Sequence, residues 1–169
     1  MPDVRLERSL RVPADPAAEA LGETLRAIAA GEGPWGGFAL HVSLGDLRLP
    51  DVGYVAVPIH LTVEKHSQEP RTFEIRFTSA NLPSAFPGFK GMLRVRDAGA
   101  LGESTIELRG SYELPMQLFG RLFDAAFTPG VAERSLENFL DEIAAAVEAR
   151  VNQREAEFAR YHFYSRTMR

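Results

Sequence analysis

The stretch LFGRLFDAAFTPGVAERSLENFL, residues 118–140, decides how the rest of the chain is read. Its apolar residues recur at helical spacing: at about 100° per residue, Leu118, Phe119, Leu122, Phe123, Ala126 and Phe127 fall on one half of a helix, with Gln117, Arg121 and Asp124 opposite. Pro129–Gly130 interrupts the rhythm, and beyond it Leu136, Phe139, Leu140, Ile143 and Val147 form a second, narrower stripe. On a continuous rod the centre of that stripe would lie roughly a quarter turn from the first, so one straight helix cannot aim both at one wall. Pro129 has no N–H to donate to the carbonyl of Ala125, and Thr128–Pro129 has the chemistry of a helix cap followed by a first-turn proline. The expectation is a short helix, a kink or restart at Thr128 to Gly130, and a long helix onward.

Two such stripes need an apolar wall, and the preceding sequence supplies one. Val4, Leu6, Leu10 and Val12 share one parity, with Glu7, Ser9 and Arg11 on the other, the period-two pattern of a strand with one wet face. Arg8 falls on the apolar parity. PADPAAEALGETLRAIAAGEG then predicts a short helix capped by Asp15, with Pro16 in its first turn, a stripe of Leu21, Leu25 and Ile28, and Gly31 at its end. From Phe38 the period returns to two. Phe38, Leu40, Val42 and Leu44 alternate with polar residues, followed by Val55, Val57, Ile59, Leu61 and Val63, and then by Phe73, Ile75 and Phe77. After a loop at SANLPSAFPGFKG come Leu93 and Val95, a turn at DAGALGES, and Ile106, Leu108, Tyr112 and Leu114. The connections are too short for parallel crossovers, so the strands form an antiparallel meander whose apolar face must be covered by the C-terminal helices.

The bulk properties narrow the function. A chain of 169 residues with 45% hydrophobic and 25% charged content is expected to be one globular domain. It has no cysteine, which removes disulfides, thiolate metal sites and a cysteine nucleophile and makes the cytoplasm the simplest expected location. The first residues lack a signal peptide's basic and apolar regions, and no run of about 18 apolar residues is present to span a bilayer. With a net charge of −4 and scattered arginines, no positive field awaits a phosphate backbone, so nucleic acid is not an expected partner.

A strand, a short helix, a run of antiparallel strands and a long C-terminal helix, in that order, resemble the helix-grip fold of the SRPBCC (START-like) superfamily, which includes polyketide cyclases and dehydratases. LRGSYELPMQLFGRLFDAAF with VAERSLENFLDEIA looks like that family's last strand and long helix, and SLRVPADPAAEALGETL like its first strand and following helix. The resemblance covers about residues 3 to 150, and its motifs are architectural. It implies an α+β fold, a curved antiparallel β-sheet wrapped around a long C-terminal α-helix, with a cavity between them for a small hydrophobic molecule. The chain departs from the pattern at Pro129–Gly130 and after Arg150. Residues 1–150 are therefore expected to form the ligand-binding domain and residues 151–169 a C-terminal helical extension and tail.

No motif names a reaction. GEGPWG, residues 31–36, has spaced glycines, but it closes a helix and precedes a strand, whereas a dinucleotide fingerprint follows a strand and opens a helix, so no cofactor is expected. His41, His60, His66 and His162 lack metal-ligand spacing, and His41 and His60 lie on the polar parity of their strands. Neither GxSxG nor HExxH occurs. Arg8 and Tyr112 stand out because both share the apolar parity, and an inward polar group in a dry interior needs a partner: a ligand oxygen, or within the protein an acid for Arg8 and a backbone group for Tyr112. The expected ligand-binding residues are Arg8 and Tyr112 with an apolar lining of Trp35, Phe77, Phe86, Phe89, Phe123 and Phe127; no catalytic residue and no metal ligand is assigned. LPSAFPGFKGM, with Phe86 and Phe89, fits a flap at the cavity mouth or a lid on the core. The tail carries the helical stripe on through Val151, Phe158 and Tyr161, either as a frayed helix or as a surface for a second copy or another protein. The expected function is binding of a small hydrophobic or aromatic, or lipid-like, molecule. The alternatives are a cyclase- or dehydratase-type enzyme and a protein-interaction module using the tail.

Overall fold

A computed structural model describes residues 3–32, 39–43, 54–65, 68–80, 88–99, 101–113 and 129–167, without the side chains of 40–43, 54–55, 113, 129–132 and 162–167. In chain order the elements are β1 (Asp3–Leu10), α1 (Ala14–Ala29), β2 (Ala39–Ser43), β3 (Tyr54–Lys65), β4 (Thr72–Ser79), β5 (Gly88–Asp97), β6 (Ser104–Glu113) and α2 (Pro129–Thr167). The strands form one antiparallel sheet in the order β1-β6-β5-β4-β3-β2. β2 to β6 are a meander, and β1 closes the far side by pairing with β6, from Asp3 opposite Ser111 to Leu10 opposite Ser104.

The period-two pattern sorts the faces as expected. Leu6 and Leu10 of β1, Val57, Ile59 and Leu61 of β3, Ile75 and Phe77 of β4, Leu93 and Val95 of β5, and Ile106 and Leu108 of β6 are all buried on one side of the sheet. α1 adds Leu21 and Leu25. Its start differs from the sequence reading. Pro13 holds the N-cap position without a side-chain bond, the Ala17 N–H reaches the Pro13 carbonyl at 3.0 Å, and Asp15 lies inside the first turn. A negative charge is favoured in that turn, and the carboxylate forms an ion pair with Arg71 at 2.6 Å. Gly31 does end the helix. At φ +74° it is left-handed, and the N–H groups of Gly31 and Glu32 donate to the carbonyls of Ile28 and Ala27, the paired bonds of a Schellman stop.

α2 is described from Pro129, and residues 118–127, the first of the two apolar stripes, lie outside the described residues, so the expected break at Thr128 to Gly130 falls at their edge. Its inward stripe is Leu136, Phe139, Leu140, Ile143, Val147 and Val151, all at most 2% exposed. The elements that approach α2 most closely are α1 and the two edge strands, β1 and β2. A flat six-stranded sheet could not bring both edges to one helix, so the sheet is curled around α2 and the helix stands in the opening. One cause of the curl is a glycine pair: Gly91 and Gly110 face each other across β5 and β6, and the Phe89 ring lies over both. A Cβ would come within 2.7 Å of that ring at Gly91 and 2.5 Å at Gly110. Only glycine lets the strands bend that tightly under an aromatic ring.

Polar contacts fix how α2 is seated. Arg8 pairs with Asp141, the Arg11 N–H donates to Glu148 at 2.6 Å, Arg150 meets Glu23 at 3.4 Å, and Arg154 reaches Glu19 and Glu23. Past Val151 the helix continues through Thr167 without interruption, roughly 24 Å at 1.5 Å per residue. Residues 152–161 are exposed apart from Arg154, which is half-buried against α1.

Candidate functional site

The sequence of β4, β5 and β6 places Phe77, Phe89 and Tyr112 on inward positions of three adjacent strands, and the register makes them one row: Phe77 pairs with Phe89, and Phe89 with Tyr112. Their rings touch in turn. Phe77 and Phe89 stack with centroids 5.1 Å apart, and Phe89 meets Tyr112 edge-on at 5.8 Å. Phe139, reaching over from α2, closes on Phe77 at 5.7 Å. The backbone of α2 approaches the sheet edges, whereas this aromatic row bridges the wider middle.

Phe89 belongs to the strand. Its flanking Pro87, Gly88 and Gly91 point to a loop on sequence grounds, but β5 starts at Gly88, and Phe89 is 1% exposed beneath the glycine notch. It is core and wall together, and not a flap.

Tyr112 is 5% exposed, and its hydroxyl oxygen has no hydrogen-bond partner among the described residues. A phenol O–H buried without a partner costs about 1–3 kcal/mol, and most buried polar groups avoid that cost. Burial pushes the phenol well above its ordinary pKa, and the negative charge of Glu133, near the start of α2, pushes the same way. Tyr112 is therefore a neutral donor across the physiological range. Arg8 also stands on the inner parity, yet its guanidinium is taken by Asp141 and by the Glu7 carbonyl at 3.0 Å. It is held by an acid from α2, one of the two fates expected for it.

Of the residues expected to line a cavity, the structure thus brings Phe77, Phe89 and Tyr112 together, adds Phe139 and places Arg8 at the β1–α2 seam. Trp35, Phe86, Phe123 and Phe127 lie outside the described residues, as do the side chains of His41, His66 and His162. His60 is exposed. Phe139 is visible in the sequence as part of the second stripe, but nothing in the spacing shows which strand residue it meets.

The depressions given by the described residues lie away from this row. One of about 600 Å³ opens on the outer face around Arg5, Lys90, Met92 and Arg109, another of about 270 Å³ lies beside it around Arg94 and Glu107, and one of about 590 Å³ runs between α1 and the β3–β4 hairpin. The outer face also holds a group that sequence periodicity assigns to solvent. Glu107 is 2% exposed because Arg5, Arg96 and Arg109 from β1, β5 and β6 converge on it, Arg5 Nε at 2.7 Å. Burial raises its carboxyl pKa, and the hydrogen bonds and charges of Arg109 and Arg96 more than reverse this, holding it below the ordinary value. No described helix is long and apolar enough to cross a membrane.

Comparison with known proteins agrees with this architecture. Solved structures of similar shape include Ara h 8.0201, at 15% identity with a TM-score of 0.50, covering 90% of this chain and 98% of that one. The protein TTHA0849 from Thermus thermophilus has 16% identity and a TM-score of 0.50, again covering 90% of this chain and 98% of that one. The Zhui aromatase/cyclase from Streptomyces sp. R1128 has 17% identity and a TM-score of 0.52, covering 90% of this chain and 94% of that one. At these identities the likeness establishes the helix-grip fold. No curated protein matches the sequence. Residues 13–148 match the family described as polyketide cyclase/dehydrase and lipid transport, and with that match spanning most of the sheet and the inward part of α2, the chain belongs to this family of SRPBCC, START-like helix-grip proteins.

Proposed function

We propose that this chain binds a small hydrophobic or aromatic molecule, lipid-like in its apolar surface, between the inner face of the sheet and α2, as a carrier or sensor. The observation that carries the reading is the Tyr112 hydroxyl, buried without a partner among the described residues at the end of an aromatic row. A polar group left unsatisfied among apolar rings is what a ligand oxygen would complete, and most of the contact area would come from Phe77, Phe89 and Phe139. Trp35, Phe86, Phe123 and Phe127 are proposed to complete the apolar lining. Residues 1–150 form the binding domain in this reading, and 151–169 are an extension of it. Native mass spectrometry of gently purified protein tests the binding role. A stoichiometric small molecule, retained on soft ionisation and released on denaturation, supports it; a chain that retains nothing and takes up no apolar probe contradicts it.

The cyclase or dehydratase alternative would use the same hydroxyl to steady a carbonyl or enolate oxygen. Among the described residues, the inward strand positions offer no carboxylate or histidine pair for proton transfer, so binding is the reading the residues support best. A second proposal concerns the extension. Phe158 and Tyr161 are 68% and 75% exposed on the stripe that carries Val147 and Val151 into the core, and contact with a second copy of this chain would cover them. Sedimentation of the full chain against a chain ending at Val151 tests this: a mass that falls on truncation supports the contact, and identical monomers contradict it.

A further inference from the structure

We infer that the bound molecule presents an uncharged acceptor oxygen, such as a ketone, ester or ether, to the Tyr112 hydroxyl, and that the site discriminates against carboxylates; this rests on the binding role proposed above. Three observations converge on it. First, Tyr112 is the inward residue of β6 whose hydroxyl no described group satisfies, and its ring is fixed edge-on against Phe89, so the donor is held in place before a ligand arrives. Second, the strand positions level with Tyr112 in the register, Phe89, Phe77 and Leu61, carry no charge; Arg8, farther along the inner face, is neutralised by Asp141 with Glu137 close by, and Lys65 and Asp97, which share the inner parity, stand exposed at strand ends. Among the described residues, a ligand carboxylate at the aromatic row would meet an apolar wall with no cation beside it, and a buried charge without a counter-charge is the costliest group to desolvate. Third, the described charge that acts on Tyr112 is that of Glu133, whose negative sign disfavours an anion beside the hydroxyl. A neutral oxygen meets none of these penalties and satisfies the orphan donor.

The same geometry separates two effects that usually travel together. If the hydroxyl serves only a ligand, removing it leaves the empty protein at least as stable as before, because no protein hydrogen bond is lost and an unpartnered buried donor is removed. The test uses three probes of one shape: an acetylnaphthalene, the matching isopropenylnaphthalene in which a CH₂ replaces the oxygen, and a naphthoate. Each is titrated calorimetrically into the full chain and into Tyr112→Phe, with melting temperatures recorded without probe. The expected result is binding of the ketone about tenfold tighter than of the hydrocarbon, the size of one net hydrogen bond. The naphthoate should bind weakest, the ketone's advantage should vanish in Tyr112→Phe, and Tyr112→Phe should melt no lower than the parent. Equal or tighter binding of the naphthoate, or a ketone advantage that survives Tyr112→Phe, overturns the inference while leaving the binding role standing. If none of the three probes binds, the binding role falls and this inference with it.

Discussion

Glu107 and Tyr112 stand on the same strand, β6, on opposite faces of the sheet, and both are buried, yet the protein treats them in opposite ways. Glu107 faces outward, and arginines from three strands close over it, so its charge is compensated by hydrogen bonds on each side. Tyr112 faces inward among rings, and its hydroxyl has no partner among the described residues. The difference shows which face the fold has completed by itself. The outer face is a finished piece of structure, although it carries the more conspicuous depressions; the inner face is left one hydrogen bond short, as a binding site is before its ligand arrives.

The contrast can be broken in graded steps. The largest effect is expected from Phe89→Ala, which removes the ring over Gly91 and Gly110 and the centre of the aromatic row. Chemical denaturation should show a loss of about 3–5 kcal/mol, as for other buried aromatics, with ligand binding lost as well. On the outer face, Glu107→Ala leaves three guanidiniums without their shared acceptor and should cost about 2–3 kcal/mol by the same measurement, the range for hydrogen bonds to charged groups. Protonation of Glu107 does the same job reversibly. Its folded pKa lies below the unfolded value, so its contribution is fully present above the unfolded pKa and is lost as pH falls through the folded one. Urea midpoints should therefore drop below about pH 4 in the parent, and Glu107→Gln should flatten that part of the profile. A smaller effect attaches to the Arg8–Asp141 pair, whose side chains are 33% and 55% exposed. A double-mutant cycle with Arg8→Ala and Asp141→Ala should give a coupling under about 1 kcal/mol, falling with added salt, as for exposed ion pairs.

The sequence shows the frame of the molecule more readily than its site. Alternation along β1, β3, β4 and β6 is enough to separate the inward face from the outward one, because a strand with one wet face has a fixed period whatever its partners. The apolar spacing of Leu136, Phe139, Leu140, Ile143 and Val147 likewise shows the inward stripe of α2, while the expected break at Thr128 to Gly130 falls at the edge of the described residues. Local chemistry misleads where tertiary pairing decides the outcome. Pro87, Gly88 and Gly91 make Phe89 look like loop, when Gly91 joins Gly110 of the neighbouring strand in the notch that receives its ring. Asp15 looks like a cap, when Pro13 already ends the extended segment and Arg71 claims the carboxylate. Arg8 can be seen to need a partner, but Asp141 lies more than a hundred residues away in the chain. Glu107 sits on the wet parity, and its burial depends on a three-strand register that one strand's pattern does not contain.

The central claim is that Tyr112 is reserved for a ligand and contributes no bond to the fold. Its most direct test is the unfolding free energy of ligand-free Tyr112→Phe against the parent, measured in parallel with Glu107→Ala. The account predicts that Tyr112→Phe is at least as stable as the parent, gaining up to the about 1–3 kcal/mol that an unpartnered buried hydroxyl costs, while Glu107→Ala is clearly weaker. A loss of about 1–2 kcal/mol in Tyr112→Phe would mean that the hydroxyl already has a partner inside the protein, and would contradict it.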